Sequence, residues 1–455
     1  MNGKKQGGRL WFLTAAASGV MLNPLNSSMI SLALNRIQYD FQLSFSTVSW
    51  LISSFYLSSV VAQPIMGKIG DYFGKKFIFM SGLALVLVSA LGAPFAPTFF
   101  LLLLMRLFQS VGSSAIYPAA MSLIRGHIRE RQASALAVIS VFTSATAALG
   151  PTIGGLLVGL GDWPAIFIVN FPIVVISFIL GLVFFPRDAK KPQEPFARVM
   201  KEMDIPGIAL FASGMALLVW FLLSLGERPH VWTGIAGAVL IMAFLRREWR
   251  VDHAFIDIRM FRTNGLLGLV LIQFIALNIF NYSLFFGLPS YFQDELHFHV
   301  RTSGLMMLFL SGSSTLISLA AGRWVDRSGF KKPLVTGTVC MLAGAVLLPT
   351  LFVGASIPVM AAILALVGIS YGLGNVSLQA AMIQATPPGM TGTTSGLFQA
   401  SRYMGSILSS VALGLVFGRQ ITEAHFRILG VILIGVGAGS CLLNLKLRGR
   451  RTEAG

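Results

Sequence analysis

The chain has 455 residues, of which 55% are hydrophobic and only 11% charged. Soluble domains carry about 25% charged residues, so this chain cannot keep its surface in water, and a lipid bilayer is the solvent its composition fits. The formal net charge of +17 would suggest nucleic acid in a soluble protein. Here the basic residues fall in short clusters between apolar runs, which is a pattern of membrane topology, and no nucleic-acid partner is expected.

In lipid only helices and closed barrels satisfy the backbone. The apolar runs are long and lack period-2 alternation, which points to an all-α membrane protein. Lys4, Lys5 and Arg9 precede a run from about Leu10 to Leu34, too long for the core of a signal peptide and therefore a first span. Further runs near the spanning length of roughly 20 residues start near Ser49, Phe77, Thr98, Ala133 and Pro164. Two more start near Asp204 and Val231, the second being short. Six others start near Gly265, Thr302, Pro333, Ile357, Thr393 and Phe426, giving fourteen in all. With the N-terminus inside, most of the 34 Lys and Arg residues lie in alternate, inside loops. The opposite loops hold only Arg36, Arg228, Arg301, Arg419 and Arg427. Positive charge marks the cytoplasmic side, so both termini are expected there. Cys340 and Cys441 fall in apolar runs and read as small core residues.

One segment occurs twice. Gly67, Asp71 and Gly74, followed by Lys75 and Lys76, come after the second run. Gly322, Asp326 and Gly329, followed by Lys331 and Lys332, come after the tenth. Both read G-x-x-x-D-x-x-G and are expected on cytoplasmic loops. The glycines allow a tight turn and close helix approach, and the carboxylate suits a helix end or a basic partner. Such a cluster can hold two helices together in one state and release them in another. Two copies at matching places imply two six-helix halves in parallel orientation, an arrangement found in transporters that bind substrate between the halves.

These residues resemble motif A of the major facilitator superfamily. Arg106, Gln109 and Gly112 in the fourth run are similar to that family's R-x-x-Q-G-x-G, and Gly150, Pro151, Gly154 and Gly155 in the fifth to the G-P-x-x-G-G core of the antiporter motif. The WPAIFIVNFP segment from Trp163 and the pair of extra runs opened by Asp204 resemble the fourteen-span drug–proton antiporters. The resemblance implies the major facilitator fold, with two six-helix bundles (1–190 and 264–455) joined by a segment, 191–263, that carries two extra helices. It also implies a bacterial plasma-membrane transporter without cofactor or metal, working as a monomer on a small-molecule substrate, with protons as coupling ion. Departures from the family pattern are Asn26, where an aspartate is usual, Asn35 for a proline, and Ser110 and Thr146 for glycines.

Ionisable residues inside a span are costly and therefore functional candidates. None of the 17 acidic residues falls in the middle of a run. The buried charges are Arg106 and Arg402, and Arg106 matches a family arginine implicated in proton transfer. Asn26, Arg106, Gln109 and Arg402 are the candidate coupling and cavity residues. Tyr117, Asn170, Asn278, Asn281, Tyr282, Tyr371 and Asn375 are candidates to line a substrate cavity, because polar groups in lipid need partners and face inward. A missing membrane acid favours a neutral or anionic substrate over a permanent cation. The resulting expectation is ion-driven efflux of drugs or small amphipathic molecules by alternating access. The alternative is uptake of a small neutral or anionic metabolite. No clustered catalytic groups and no P-loop occur, so no enzyme is expected.

Overall fold

The computed structural model describes residues 2–43, 45–48, 50–128, 130–188, 203–225, 229–251, 254–417 and 421–446. Among these the regular structure is helical throughout. The long helices are α1 (Asn2–Val20), α2 (Leu22–Asp40), α3 (Trp50–Phe73), α4 (Lys75–Gly92), α5 (Phe99–His127), α6 (Gln132–Gly161) and α7 (Asn170–Phe184). There follow α8 (Ile205–Ser224) and α9 (Val231–Glu248), then α10 (Gly265–Ser290), α11 (Val300–Ser328), α12 (Lys331–Leu347), α13 (Ile357–Ala385), α14 (Thr391–Phe417) and α15 (Glu423–Lys446). Among the described residues, ten helices are long and apolar enough to cross a membrane, and the chain is a multi-pass membrane protein. Residues 189–202, which hold the end of the first expected bundle and the start of the linking segment, and the tail from 447 lie outside the described residues.

The first expected span is a broken helix. Met21 N still donates to Ala17 O at 3.0 Å, and Leu25 N to Met21 O at 3.1 Å. Pro24 has no N–H to offer the turn before it, which accounts for the interruption between α1 and α2.

The repeated motif starts on helices and not on loops, a correction to the sequence reading. α3 continues to Phe73 and α11 to Ser328, so Gly67, Asp71, Gly322 and Asp326 sit on final helical turns. The chain turns only at Gly74 and Gly329, with φ of +122° and +75°, a region that glycine enters without a Cβ penalty.

The first seven helices pack among themselves, chiefly α4 on α5, α3 on α5, α2 on α6 and α1 on α7. The last six do likewise, with α11 on α13, α10 on α14 and α12 on both α13 and α15. The two groups meet along α3 against α14 and α6 against α11, while α8 and α9 form a hairpin whose α8 rests on α3 and α14. In that last contact Val219 is buried with Val60, Tyr403 and Ile407.

Glycine sets the distance between α3 and α14. A methyl group on Gly67 would lie 2.2 Å from the carbonyl oxygen of Gly392, and one on Gly392 2.3 Å from that of Gly67. Backbones this close leave no room for any side chain at either position.

Candidate functional site

Two clusters hold the groups of helices together. At the face bearing the basic loops, Asp71 on the last turns of α3 receives Gly392 N and Thr393 N, each at 2.8 Å, and Thr393 Oγ1 at 3.1 Å. A carboxylate there satisfies N–H groups that have no intrahelical partner and meets the positive end of the α14 dipole. Burial pushes the Asp71 carboxyl above its ordinary range, and the Thr393 and Gly392 donors oppose that push. Asp326 on α11 does the same for α6, receiving Ala133 N and Ser134 N at 2.9 Å and the Ser134 hydroxyl. Arg125, at the end of α5, adds bonds to Thr391 Oγ1 at 3.0 Å and Thr386 O at 2.8 Å across the same boundary.

Lys75 and Gly74 serve a different contact. Asp188, beyond α7, receives Lys75 N at 2.8 Å, Lys76 N at 3.0 Å and Phe77 N at 2.8 Å, capping α4. The Lys75 ammonium reaches Ser122 O at 3.5 Å. Sequence reasoning missed Asp188, because nothing local ties it to a helix start 113 positions earlier.

In the interior of the first group, Asn26, Arg106 and Gln109 come together in one hydrogen-bonded cluster. Arg106 is 1% exposed and donates to Asn26 O at 2.9 Å, Leu51 O at 3.3 Å and the Gln109 amide oxygen. Its guanidinium lies 4.2 Å from the centre of the Phe55 ring, and Gln109 Nε2 donates to Asn26 Oδ1 at 3.0 Å. Every partner is neutral. Carbonyl oxygens and a ring face stabilise the cation without a carboxylate, so this arginine ties α2, α3 and α5 together.

Of the antiporter-like residues, Gly150 and Gly154 face α2. A methyl on Gly150 would lie 1.7 Å from Ser28 Oγ, and one on Gly154 would lie 3.1 Å from Met29 Cα. Gly155 is exposed. Pro151 lies within α6, but its side chain is outside the described residues, as is that of Asn35 in α2.

Arg402 is placed differently from Arg106. It lines a cavity of about 60 Å³ between the two groups, together with Asn281, Tyr282 and Tyr371, opposite Pro24 and Thr143. Among the described residues its hydrogen bond goes from Nη2 to Asn375 Oδ1 at 3.3 Å. The ring centre of Phe274 lies 5.6 Å away, and Nε is buried without a hydrogen-bond partner. Among the described residues no carboxylate pairs with it. The cavity therefore carries an uncompensated positive charge ringed by tyrosines.

The remaining candidates divide. Asn278 accepts from Tyr371 Oη at 3.4 Å, Asn375 donates to Ser140 Oγ across the boundary at 3.4 Å, and Tyr117 is buried with a hydroxyl that has no partner. Asn170 stands apart from the cavity, since its amide is turned onto Ile166 O and Phe167 O, both at 3.1 Å, in its own helical region. Two unsuspected residues join the boundary: the Tyr403 hydroxyl bonds Asn23 Oδ1, and Asn23 Nδ2 donates to Ser113 Oγ at 3.0 Å. Asn23 lies one helical turn before Asn26, so helical spacing was the signal that could have found it.

Two groups of membrane helices, joined by capped helix ends at one face and with a small cavity lined by Arg402, Asn281 and tyrosines between them, have the architecture of a transporter. The model of the Major Facilitator Superfamily matches residues 16–410, and the chain belongs to that family. It is 59% identical to the uncharacterised MFS-type transporter YwoD of Bacillus subtilis, over 96% of this chain and 97% of that protein. It is 28% identical to the tetracenomycin C resistance and export protein of Streptomyces glaucescens, over 91% of this chain and 77% of that one. It is 23% identical to the riboflavin transporter RibZ of Clostridioides difficile, over 89% and 87%. The fold matches that of the human organic anion transporter MFSD10 with a TM-score of 0.66 at 16% identity, over 95% of this chain and 99% of that chain.

Proposed function

We propose that this protein is a secondary active transporter that uses an ion gradient, most simply of protons, to export small amphipathic molecules by alternating access. Its preferred substrates are neutral or anionic. The observation that carries the reading is Arg402, a buried cation that lines the central cavity without a carboxylate partner. A permanent cation entering that cavity meets like charge at low dielectric, whereas an anionic or strongly dipolar group replaces a missing partner.

In this reading the chain spans the bilayer fourteen times, as bundles 1–190 and 264–455 with the α8–α9 hairpin between them, and acts as a monomer. The face of Asp71 and Asp326 is the cytoplasmic face of the cell membrane, because the basic loops gather there. The capped helix ends hold that face shut, and export proceeds when they release. The proton path runs through the Asn26–Arg106–Gln109 cluster or through the substrate itself. Export is further supported by the name of the Streptomyces relative. The name of the Clostridioides relative supports the second reading, a transporter of a small metabolite.

A strain lacking the gene, and the same strain complemented, are to be screened against anionic, neutral and cationic antimicrobials. The export reading expects increased sensitivity to anionic or neutral amphipathic compounds, restored by complementation. Unchanged sensitivity across the panel, with a growth requirement for a metabolite instead, supports uptake.

A further inference from the structure

Away from the cavity, the base of the α8–α9 hairpin holds two carboxyl groups that neither the helix caps nor the cavity use. Asp204 immediately precedes α8 with a left-handed φ of +51°, and Glu248 is the last residue of α9. They are 3% and 0% exposed. One oxygen of each is well supplied. Asp204 Oδ1 receives Arg247 Nε at 3.0 Å, Arg247 Nη2 at 2.8 Å and Gly207 N at 3.2 Å. Glu248 Oε2 receives Ile256 N at 2.8 Å.

The other two oxygens, Asp204 Oδ2 and Glu248 Oε1, are buried with no hydrogen-bond partner. Both border the bare Cα of Gly207. A methyl there would lie 2.0 Å from Asp204 Oδ2 and 2.5 Å from Glu248 Oε1, so the two oxygens are no more than about 4.5 Å apart. Two ionised carboxylates offer acceptors only and repel one another. A single proton turns one of them into a donor and removes one of the charges.

The surrounding charges match a pair that keeps one negative charge. Arg247 is bonded to Asp204 and balances it. From α3, Lys68 Nζ donates to Ala254 O at 2.6 Å and lies 5.7 Å from the Phe255 ring centre. Lys68 feels the charge of both Glu248 and Asp204. The first turn of α8 has no acidic residue. In the segment after α9, Asp257 pairs with Arg259 at 3.9 Å, and Arg259 also bonds Val251 O at 2.7 Å. Burial, with Asp204 beside it, raises the Glu248 carboxyl to about 7 against the opposing bond from Ile256. Burial would raise Asp204 as well, but the Arg247 fork holds it below its ordinary range.

We propose that Asp204 and Glu248 form a proton-binding site at the base of the linking hairpin, in which one proton from water sits on Glu248 Oε1 and is donated to Asp204 Oδ2, and that Lys68 senses its occupancy. Binding makes one O–H bond on Glu248 and leaves the cluster with one negative charge, which Arg247 neutralises. Release returns the proton to water and leaves a second negative charge, which draws Lys68 Nζ from Ala254 O. Lys68 lies on the same helix as Asp71, one turn before it, so the site acts on the segment that caps α14. This inference does not depend on the substrate or on the direction of transport.

The test is infrared difference spectroscopy of the purified full chain in lipid nanodiscs, titrated through neutral pH in ordinary and heavy water. Wild type is expected to show a protonated-carboxyl C=O band that is lost as pH rises through about 7. The band is absent in Glu248→Gln, moves to lower pH in Asp204→Asn because the repelling charge is gone, and moves to higher pH in Lys68→Met. If Glu248→Gln does not fold, the shift in Asp204→Asn decides. A neutral-pH band that survives in Glu248→Gln, is unmoved in Asp204→Asn, or is missing from wild type overturns the site. A band unmoved in Lys68→Met overturns the sensing role of that lysine.

Discussion

Asp71 and Asp326 do the same work in opposite directions: each carboxylate closes on two backbone N–H groups at the start of a helix belonging to the other group, α14 for Asp71 and α6 for Asp326. The relationship follows from the repeated motif. Two parallel halves put the last turn of the second helix of each beside the first turn of a helix in its partner, and a carboxylate at that point meets unpaired donors and a favourable dipole.

Asp71→Asn keeps one acceptor but loses the charge. Bonds to charged groups contribute about 1.5–3 kcal/mol each where neutral ones give about 1, so the joined state should lose about 1–2 kcal/mol, roughly a 5- to 30-fold change in population. Distances between spin labels at positions 127 and 388 should shift toward a separated population. Asp326→Asn should do the same. An unchanged distance distribution in both variants contradicts the role given to these caps.

Two glycines should differ in whether they can be rescued. Gly67→Ala drives a methyl into a backbone carbonyl, whereas Gly150→Ala meets mainly the hydroxyl of Ser28. Overpacking of this kind costs about 1–3 kcal/mol. The added substitution Ser28→Gly should restore much of the thermal stability of Gly150→Ala. No side-chain change opposite Gly67→Ala should do so. Thermal unfolding of the detergent-solubilised variants distinguishes the cases.

The two buried arginines should separate stability from selectivity. Arg106 is tied to two helix carbonyls and an amide. Arg106→Ala therefore removes the ties between three helices and leaves the Gln109 amide oxygen without its donor, at about 1–3 kcal/mol, and should lower abundance and melting temperature. Arg402 has one such bond. Arg402→Gln should therefore leave stability nearly unchanged and reduce transport of anionic compounds about tenfold or more, while neutral compounds change less. Unchanged transport in Arg106→Ala protein of normal abundance would remove Arg106 from the mechanism.

Stability should depend on pH through Glu248. Its carboxyl holds a proton up to about 7 in the folded chain, against an ordinary value of 4.5. Between those values the folded chain binds the extra proton, so stability falls as pH rises and levels off above about 7. The melting temperature of Glu248→Gln should lack that slope. An equal slope in the variant would assign it to other groups.

Much of the architecture was legible because membrane burial writes itself into the chain as long apolar runs, and because the repeat places Asp71 and Asp326 at matching points. Arg106 stood out as an ionisable residue inside an apolar run, and Gln109 beside it through the likeness to the family's R-x-x-Q. Asn170 was not, since a lone asparagine in an apolar run can either face a cavity or turn back onto carbonyls three and four residues earlier, as it does here. Asp204 was visible as the opening of an extra helix. Its pairing with Glu248 was not, because it depends on how the α8–α9 hairpin closes and on the bare Cα of Gly207. The placement of the repeated motif on helix ends was missed for a similar reason: α3 and α11 run past the apolar stretch to reach their partners.

The most direct test of the account is flux in everted membrane vesicles carrying an imposed proton gradient, followed with matched anionic and cationic amphipathic dyes. Wild-type vesicles should accumulate the anionic dye, a protonophore should abolish the accumulation, and Arg402→Gln should reduce it about tenfold or more. Accumulation of the cationic dye alone, or flux of the anionic dye unaffected by both the protonophore and Arg402→Gln, would contradict it.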